Sequence, residues 1–296
     1  MAEDPAPPLP AWLEAAWAQP AEVRAVEVEG AIVRYRAWGM APATKPALLL
    51  AHGFIAHARW WDHIAPHFAD RYRVVAPDFT GMGDSDRRPT YSRRQYAREL
   101  IATARDAGME RATFVAHSFG AAAALYAAMT EPDLVERVIV IDARVFRPKM
   151  EEPTPVQPEK FYPSFEAAFE RYRLMPPGEW PDPHVLAYVA RHSIRQVADG
   201  VWGWKFDPET FRTVHRETLG QAFEGLALPV DFIHAENSDV VGPVELADFL
   251  DRMPGCGPAV TVPLSHHHVM IEQPVGLVAA LNGLLARPWA APAHRV

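Results

Sequence analysis

Phe114-Val-Ala-His-Ser118-Phe-Gly-Ala-Ala-Ala-Ala-Leu125 decides the reading of this chain. A short apolar run ends at Ala116, a serine follows, and small residues then open a helix. A tight strand-to-helix turn of this kind forces its central residue into strained backbone geometry, so the positions two before and two after it must be small. Here they are Ala116 and Gly120. A serine in that place is either a helix N-cap or a nucleophile held at the tip of a turn.

A serine hydroxyl is a weak nucleophile unless a histidine, itself held by a carboxylate, removes its proton. Both partners are expected beyond the ends of later strands. Asp239 follows the apolar run Val230–His234, and the cluster His266-His267-His268 follows Ala259–Val262. We take Asp239 as the acid, with Glu236 and Asp142 as alternatives. The base is expected among these histidines, His267 or His266. Three successive histidines on an extended chain point in opposite directions, and no Cys or acid has matching ligand spacing, so no metal site is expected there. Acyl transfer also needs preorganised N–H donors for an oxyanion. The backbone amides of Phe54, after His52-Gly53, and of Phe119 are the expected pair.

Working outward, buried apolar runs occur at Ala47–Ala51, Val74–Ala76, Ala112–Ala116, Val138–Ile141, Val230–His234 and Ala259–Val262, preceded by a hairpin over Val23–Val28 and Ala31–Trp38. Continuous runs of this length suit parallel strands covered on both faces. Helix-compatible segments alternate with them at Trp60–Ala69, Ser92–Ala107, Phe119–Met129, Val244–Arg252 and Val275–Leu285. The alternation predicts an α/β fold with a mostly parallel sheet flanked by helices. Between Asp142 and Leu228 no buried strand is apparent, nine of the 29 prolines fall between Pro148 and Pro183, and helical patterns appear over Ser164–Met175 and His184–Val197. We expect an extended N-terminal arm over residues 1–21, docking through Trp12, Leu13 and Trp17, a core over 22–144 and 226–296, and a mainly helical cap over 145–225, inserted after the sixth strand.

In this order the motifs resemble those of α/β-hydrolase fold enzymes with a cap. The similarity runs from Val23 to Leu285 through His52-Gly53-Phe54, Asp78-Phe-Thr-Gly-Met-Gly-Asp-Ser-Asp86, Ala116-His-Ser-Phe-Gly120, Asp239 and His267-His-Val-Met-Ile-Glu-Gln-Pro274. In that family the catalytic histidine commonly lies five residues before Glu-Gln-Pro or Asp-Gln-Pro, which favours His267. The chain departs from the pattern at Ala116, in place of the first elbow glycine, and at His266, in place of the glycine before the histidine. The resemblance implies a serine hydrolase of small, largely apolar carboxylic esters or lactones that works through an acyl-enzyme and needs no cofactor. A C–C bond hydrolase, a cofactor-free oxygenase, an acyltransferase and a ligand-binding receptor without turnover are the alternatives on the same fold. Trp60, Trp61, Phe146, Trp202 and Trp204 are expected to line the substrate pocket.

Composition bounds the partners. The 296 residues carry a net charge of -8 and 49% hydrophobic residues, the balance of a folded chain with no broad basic face for nucleic acid. Arg87, Arg88, Arg93, Arg94 and Arg98 form a local basic cluster, read as a solvated loop running into a helix. The single cysteine, Cys256, cannot form an intramolecular disulfide and fits a reducing compartment. The acidic, proline-rich start is unlike a signal peptide, and no apolar run is long enough to span a membrane. A cytoplasmic protein acting on a small molecule is expected, with a homodimer left open.

Overall fold

The computed structural model describes residues 8–146, 156, 158–214, 223–224, 226, 228–253 and 255–287. The chain starts with helix α1 (Ala11–Trp17), the hairpin β1 (Glu22–Val28) and β2 (Ala31–Trp38), and strands β3 (Ala47–Ala51) and β4 (Arg73–Pro77). Then come α2 (Arg93–Asp106), β5 (Ala112–His117), α3 (Phe119–Thr130) and β6 (Val135–Ile141). After β6 lie β7 (Phe161–Tyr162), α4 (Phe165–Phe169), α5 (Pro183–His192), β8 (Ile194–Ala198), β9 (Val201–Trp204) and α6 (Thr210–Val214). The last elements are β10 (Val230–Ala235), α7 (Pro243–Arg252), β11 (Val260–Val262), α8 (Val269–Glu272) and α9 (Pro274–Leu285).

Eight strands form one sheet in the order β1-β2-β4-β3-β5-β6-β10-β11. The pairs β1/β2 and β2/β4 are antiparallel, and the remaining pairs are parallel. Every residue of β3, β4 and β5 is buried, as the continuous apolar runs require of strands covered on both faces. Two apolar layers result. One packs α2 and α3 on the face that carries Leu49, Phe114 and Phe232, and the other packs Trp61, Phe68 and α9 on the face that carries Leu48, Leu50 and Val115. Helix α3 is buried almost all round, and its alanines let it lie close over β5 and β6.

The segment between β6 and β10 carries short helices together with a second, three-stranded antiparallel sheet in the order β7-β9-β8. Among the described residues the helices account for more of it than the strands do, but the sheet departs from the expectation. Its strands are two to five residues long and half exposed, so they lack the buried apolar run that betrays a core strand. The helical pattern over His184–Val197 therefore splits: α5 ends at His192 and the chain turns into β8. The one over Ser164–Met175 reduces to the five residues of α4.

Two other expectations change. Residues 11–17 are helical rather than an extended arm, because the prolines before them end at the N-cap, Pro10, where a missing N–H costs nothing. Leu13 is fully buried beside Phe68, and Trp17 stacks on Tyr188 at 4.9 Å. Residues 1–7 lie outside the described residues, as do 147–155, 157, 215–222 and 225 of the expected cap. Trp60–Ala69 is not one helix but two 3-10 turns, Ala58–Trp61 and Ala65–Phe68, with Pro66 opening the second.

Polar links pin the inserted segment to the core. Tyr188 Oη donates to Asp62 at 2.5 Å, Tyr91 Oη to Asp207 at 2.6 Å, and His57 Nε2 to Ser193 Oγ at 3.0 Å. Lys205 pairs with Asp84 and Arg87 with Glu159, each at 2.6 Å. Within the basic cluster, Arg88 and Arg98 are likewise held by acids, Glu99 and Glu29.

Candidate active site

Ser118 sits between the last residue of β5 and the first of α3, with φ 50° and ψ −116°. Strain of this order persists only where the surroundings fix it, and small neighbours make room for it. A Cβ on Gly120 would lie 2.6 Å from the carbonyl oxygen of His52, and one on Gly53 would lie 2.7 Å from His117 Nδ1. The Ser118 N–H donates to Ile141 O at 2.9 Å, which ties the turn to the end of β6.

His267 arrives from the loop after β11. The Glu272 carboxylate accepts the His266 N–H at 2.6 Å, and buried His117 donates through Nε2 to the His267 carbonyl at 2.8 Å. These contacts give a physical meaning to the Glu five residues past His267: it closes the loop that presents the imidazole. His267 Nε2 lies 2.8 Å from Ser118 Oγ, and its Nδ1 lies 2.7 Å from Asp142 Oδ2. His266 turns away from the serine, its ring facing Glu272 at 3.6 Å and Glu179 at 4.0 Å.

The acid is therefore not where Asp239 predicts it. Asp239 is exposed and lines a separate polar cleft with Glu179, Asn237 and His266. Glu236 is also exposed, its carboxylate accepting the Leu264 N–H at 2.8 Å. The carboxylate on His267 belongs to Asp142, wholly buried at φ 42°. Its Oδ1 accepts the Ala235 N–H at 3.2 Å, and its Oδ2 accepts the Ser238 hydroxyl at 2.6 Å. Thus the loop after β10 supplies a hydroxyl that steadies the acid instead of the acid itself. A signal was present in the sequence: Asp142 ends the wholly apolar run Val138–Ile141, and the parallel register pairs His117 with Ile141, so the carboxylate falls one residue past the strand beside the elbow.

The other histidines near Ser118 are held neutral. Burial, reinforced by the neighbouring His267, lowers His268 to about 3, and the same causes hold His117 well below the ordinary imidazole range. Burial also lowers His52 to about 4. A cleft of about 390 Å³ opens at Ser118, lined by Phe54, Trp60, Met175, Phe211, His267 and His268 among others. The Phe119 N–H is the first of α3 and so has no intrahelical acceptor, and Phe54 packs against the Phe119 ring at 5.5 Å.

Of the expected pocket residues, Trp60 lines this cleft and Trp204 lines a neighbouring one. The others do not reach it. Trp61 is fully buried in the core, Phe146 packs on Phe249 at 5.8 Å, and Trp202 packs on Phe165 at 5.5 Å within the inserted segment. Met175 and Phe211 also line the cleft at Ser118 without being expected to. Among the described residues, no three His, Cys, Asp or Glu side chains converge as a metal-ligand set, and no helix is long and apolar enough to cross a membrane.

A central parallel sheet that carries a strained serine at the β5–α3 turn, with a histidine delivered beyond the last strand, is the architecture of one enzyme class. The chain belongs to the alpha/beta hydrolase family, whose model matches residues 48–281. An uncharacterized protein of Mycobacterium bovis is 37% identical over 99 residues, 33% of this chain and 29% of that protein. The chain thus matches less than a third of that relative's length. The 2-(acetamidomethylene)succinate hydrolase of Mesorhizobium japonicum is 26% identical over 249 residues, 81% of this chain and 88% of that enzyme. Among solved structures, a thioesterase domain from the curacin biosynthetic pathway superposes with a TM-score of 0.75 at 20% identity, covering 90% of this chain and 99% of that domain, a likeness of fold.

Proposed function

We propose that the chain is a serine hydrolase that cleaves a small, largely apolar carboxylic ester or lactone through an acyl-enzyme. The observation that carries this reading is the unbroken series Ser118 Oγ, His267 and Asp142, joined at 2.8 Å and 2.7 Å. With His267 Nδ1 donating to Asp142, Nε2 is left as the acceptor for the Ser118 proton. Ser118 Oγ attacks the carbonyl carbon, the carbonyl π electrons move to oxygen, and the amides of Phe54 and Phe119 stabilise the oxyanion. Collapse expels the alcohol, which takes the proton from His267 Nε2. Water repeats the attack on the acyl-enzyme, giving its proton to Nε2, and the acid leaves with Ser118 restored. Asp142 takes the orienting role first assigned to Asp239. Nothing in these steps calls for a cofactor, and the single-cysteine composition supports a reducing, cytoplasmic setting.

The name of the Mesorhizobium relative contains an amide and no ester, and this supports a second reading in which the same residues cleave a different acyl bond. Treatment with a fluorophosphonate, location of the adduct by mass spectrometry, and a panel of p-nitrophenyl esters test the proposal. The expected result is an adduct on Ser118 and ester turnover, both lost in His267→Ala and retained in His266→Ala. An unlabelled Ser118 overturns the reading, and labelling without ester turnover favours the second.

A further inference from the structure

A second cleft, of about 290 Å³, lies between the core loop around Phe54–Trp60 and the inserted segment. It shares Phe54, Ile55, Trp60, Met175 and His268 with the cleft at Ser118, so the two adjoin through a common wall. Beyond that wall its lining is aromatic and cationic. Tyr162 and Tyr172 pack around Trp204 at 5.4 Å and 6.1 Å. Lys160, Arg171, Arg173 and Lys205 also line it, and among the described residues no acidic side chain does.

The cations are poorly neutralised. Lys205 pairs with Asp84, and Arg173 donates to the carbonyls of Glu170 and Tyr172. Among the described residues, Lys160 and Arg171 have neither an ion pair nor a side-chain hydrogen bond. Glu159, the acid next to Lys160 in sequence, is engaged by Arg87. Four cations around one aromatic cleft, in a chain of net charge -8, run against the composition of the molecule. Lys160, Arg171 and Arg173 are exposed and open to a ligand, and carboxylates form strong charge-assisted bonds to guanidinium and ammonium groups.

We infer that the natural substrate carries a carboxylate at the end remote from the scissile bond, with its apolar middle against Trp60, Tyr172 and Trp204 and its carboxylate among Lys160, Arg171 and Arg173. The inference deepens the serine-hydrolase reading by naming a substrate class, half-esters of longer dicarboxylic acids, and it rests on that reading for the position of the scissile bond. Its binding component is separable from turnover.

The test uses the full chain carrying Ser118→Ala, so that ligand is bound and not consumed. Calorimetry compares monomethyl suberate with methyl suberamate, which differ only in a terminal carboxylate or neutral amide. The acid should bind at least tenfold more tightly at low salt, and the preference should shrink as salt is raised. Introducing Lys160→Glu and Arg171→Glu together should bring the ratio of the two affinities to about one or invert it. Equal affinities, tighter binding of the amide, or binding of neither ligand overturns the inference. Each of these results is independent of whether wild-type protein is labelled by fluorophosphonate, which tests the hydrolase reading itself.

Discussion

Replacing Asp142 by Asn exposes what holds His267 in its reactive tautomer. Oδ1 of Asp142 already accepts the Ala235 N–H, so an asparagine keeps its carbonyl on that side and turns its NH2 toward His267 Nδ1. Nδ1 must then accept, which puts the ring proton on Nε2, where it faces Ser118 Oγ and cannot take the hydroxyl proton. The fold is little disturbed, because side-chain volume and the Ala235 contact are kept. In serine–histidine–aspartate enzymes this exchange lowers kcat by about 10^4, or about 5 kcal/mol of transition-state stabilisation. The assay is steady-state hydrolysis of p-nitrophenyl butyrate by Asp142→Asn and Asp239→Asn, with thermal midpoints measured in parallel. Asp239 is exposed and takes no part in these bonds, so its variant should stay within about twofold of wild type. A loss of less than tenfold for Asp142→Asn, or a larger loss for Asp239→Asn, would refute the reasoning.

Two further outcomes concern stability. Burial lowers His63 to about 4 from an ordinary value of 6.5, so on acidification the unfolded chain takes up a proton before the native state does, and the native state loses stability as pH falls from 6.5 toward 4. His63→Gln removes that proton uptake, so its stability deficit relative to wild type in urea unfolding should shrink by about 2 kcal/mol between pH 6.5 and pH 5, and a constant deficit contradicts the assignment. Leu13→Ala empties a fully buried site under α1 and should cost about 2–5 kcal/mol, seen as a lower urea midpoint. An unchanged midpoint would mean that α1 is not docked in solution.

What was legible in the sequence is what depends on covalent neighbours and on burial from both sides. The apolar runs of β3 to β6 and β10, the hairpin before them, and the Ala116-His-Ser-Phe-Gly120 turn are local patterns with strong physical requirements, and each stands where expected. Burial in the inserted segment is shallower, so β8 and β9 present half-exposed residues such as Arg195, Gln196 and Trp202 that carry no strand signature on their own. The acid was misplaced for a different reason. Asp142 and Asp239 both follow core strands, and the choice between them depends on which carboxylate the sheet order brings under His267, a non-local fact fixed by β6 lying between β5 and β10. Nearness in sequence to the catalytic loops points Trp61 and Phe146 to the pocket, but Trp61 is fully buried and Phe146 packs on Phe249, contacts that sequence distance does not encode.

The placement of Asp142 has a consequence for modular redesign of the molecule. Its N–H is bonded to Ile233 O within β10, while Ala143 and Val145, both buried, carry the chain on toward the inserted segment. A chimera that exchanges this segment for that of another family member, with its junction set at Ile141, would carry the carboxylate away with the donated piece. A junction set beyond Val145 would keep it. Recombination with a member that held its acid beyond a different strand would then produce progeny with two carboxylates or none, so the boundary of the exchangeable unit is set by chemistry as well as by packing.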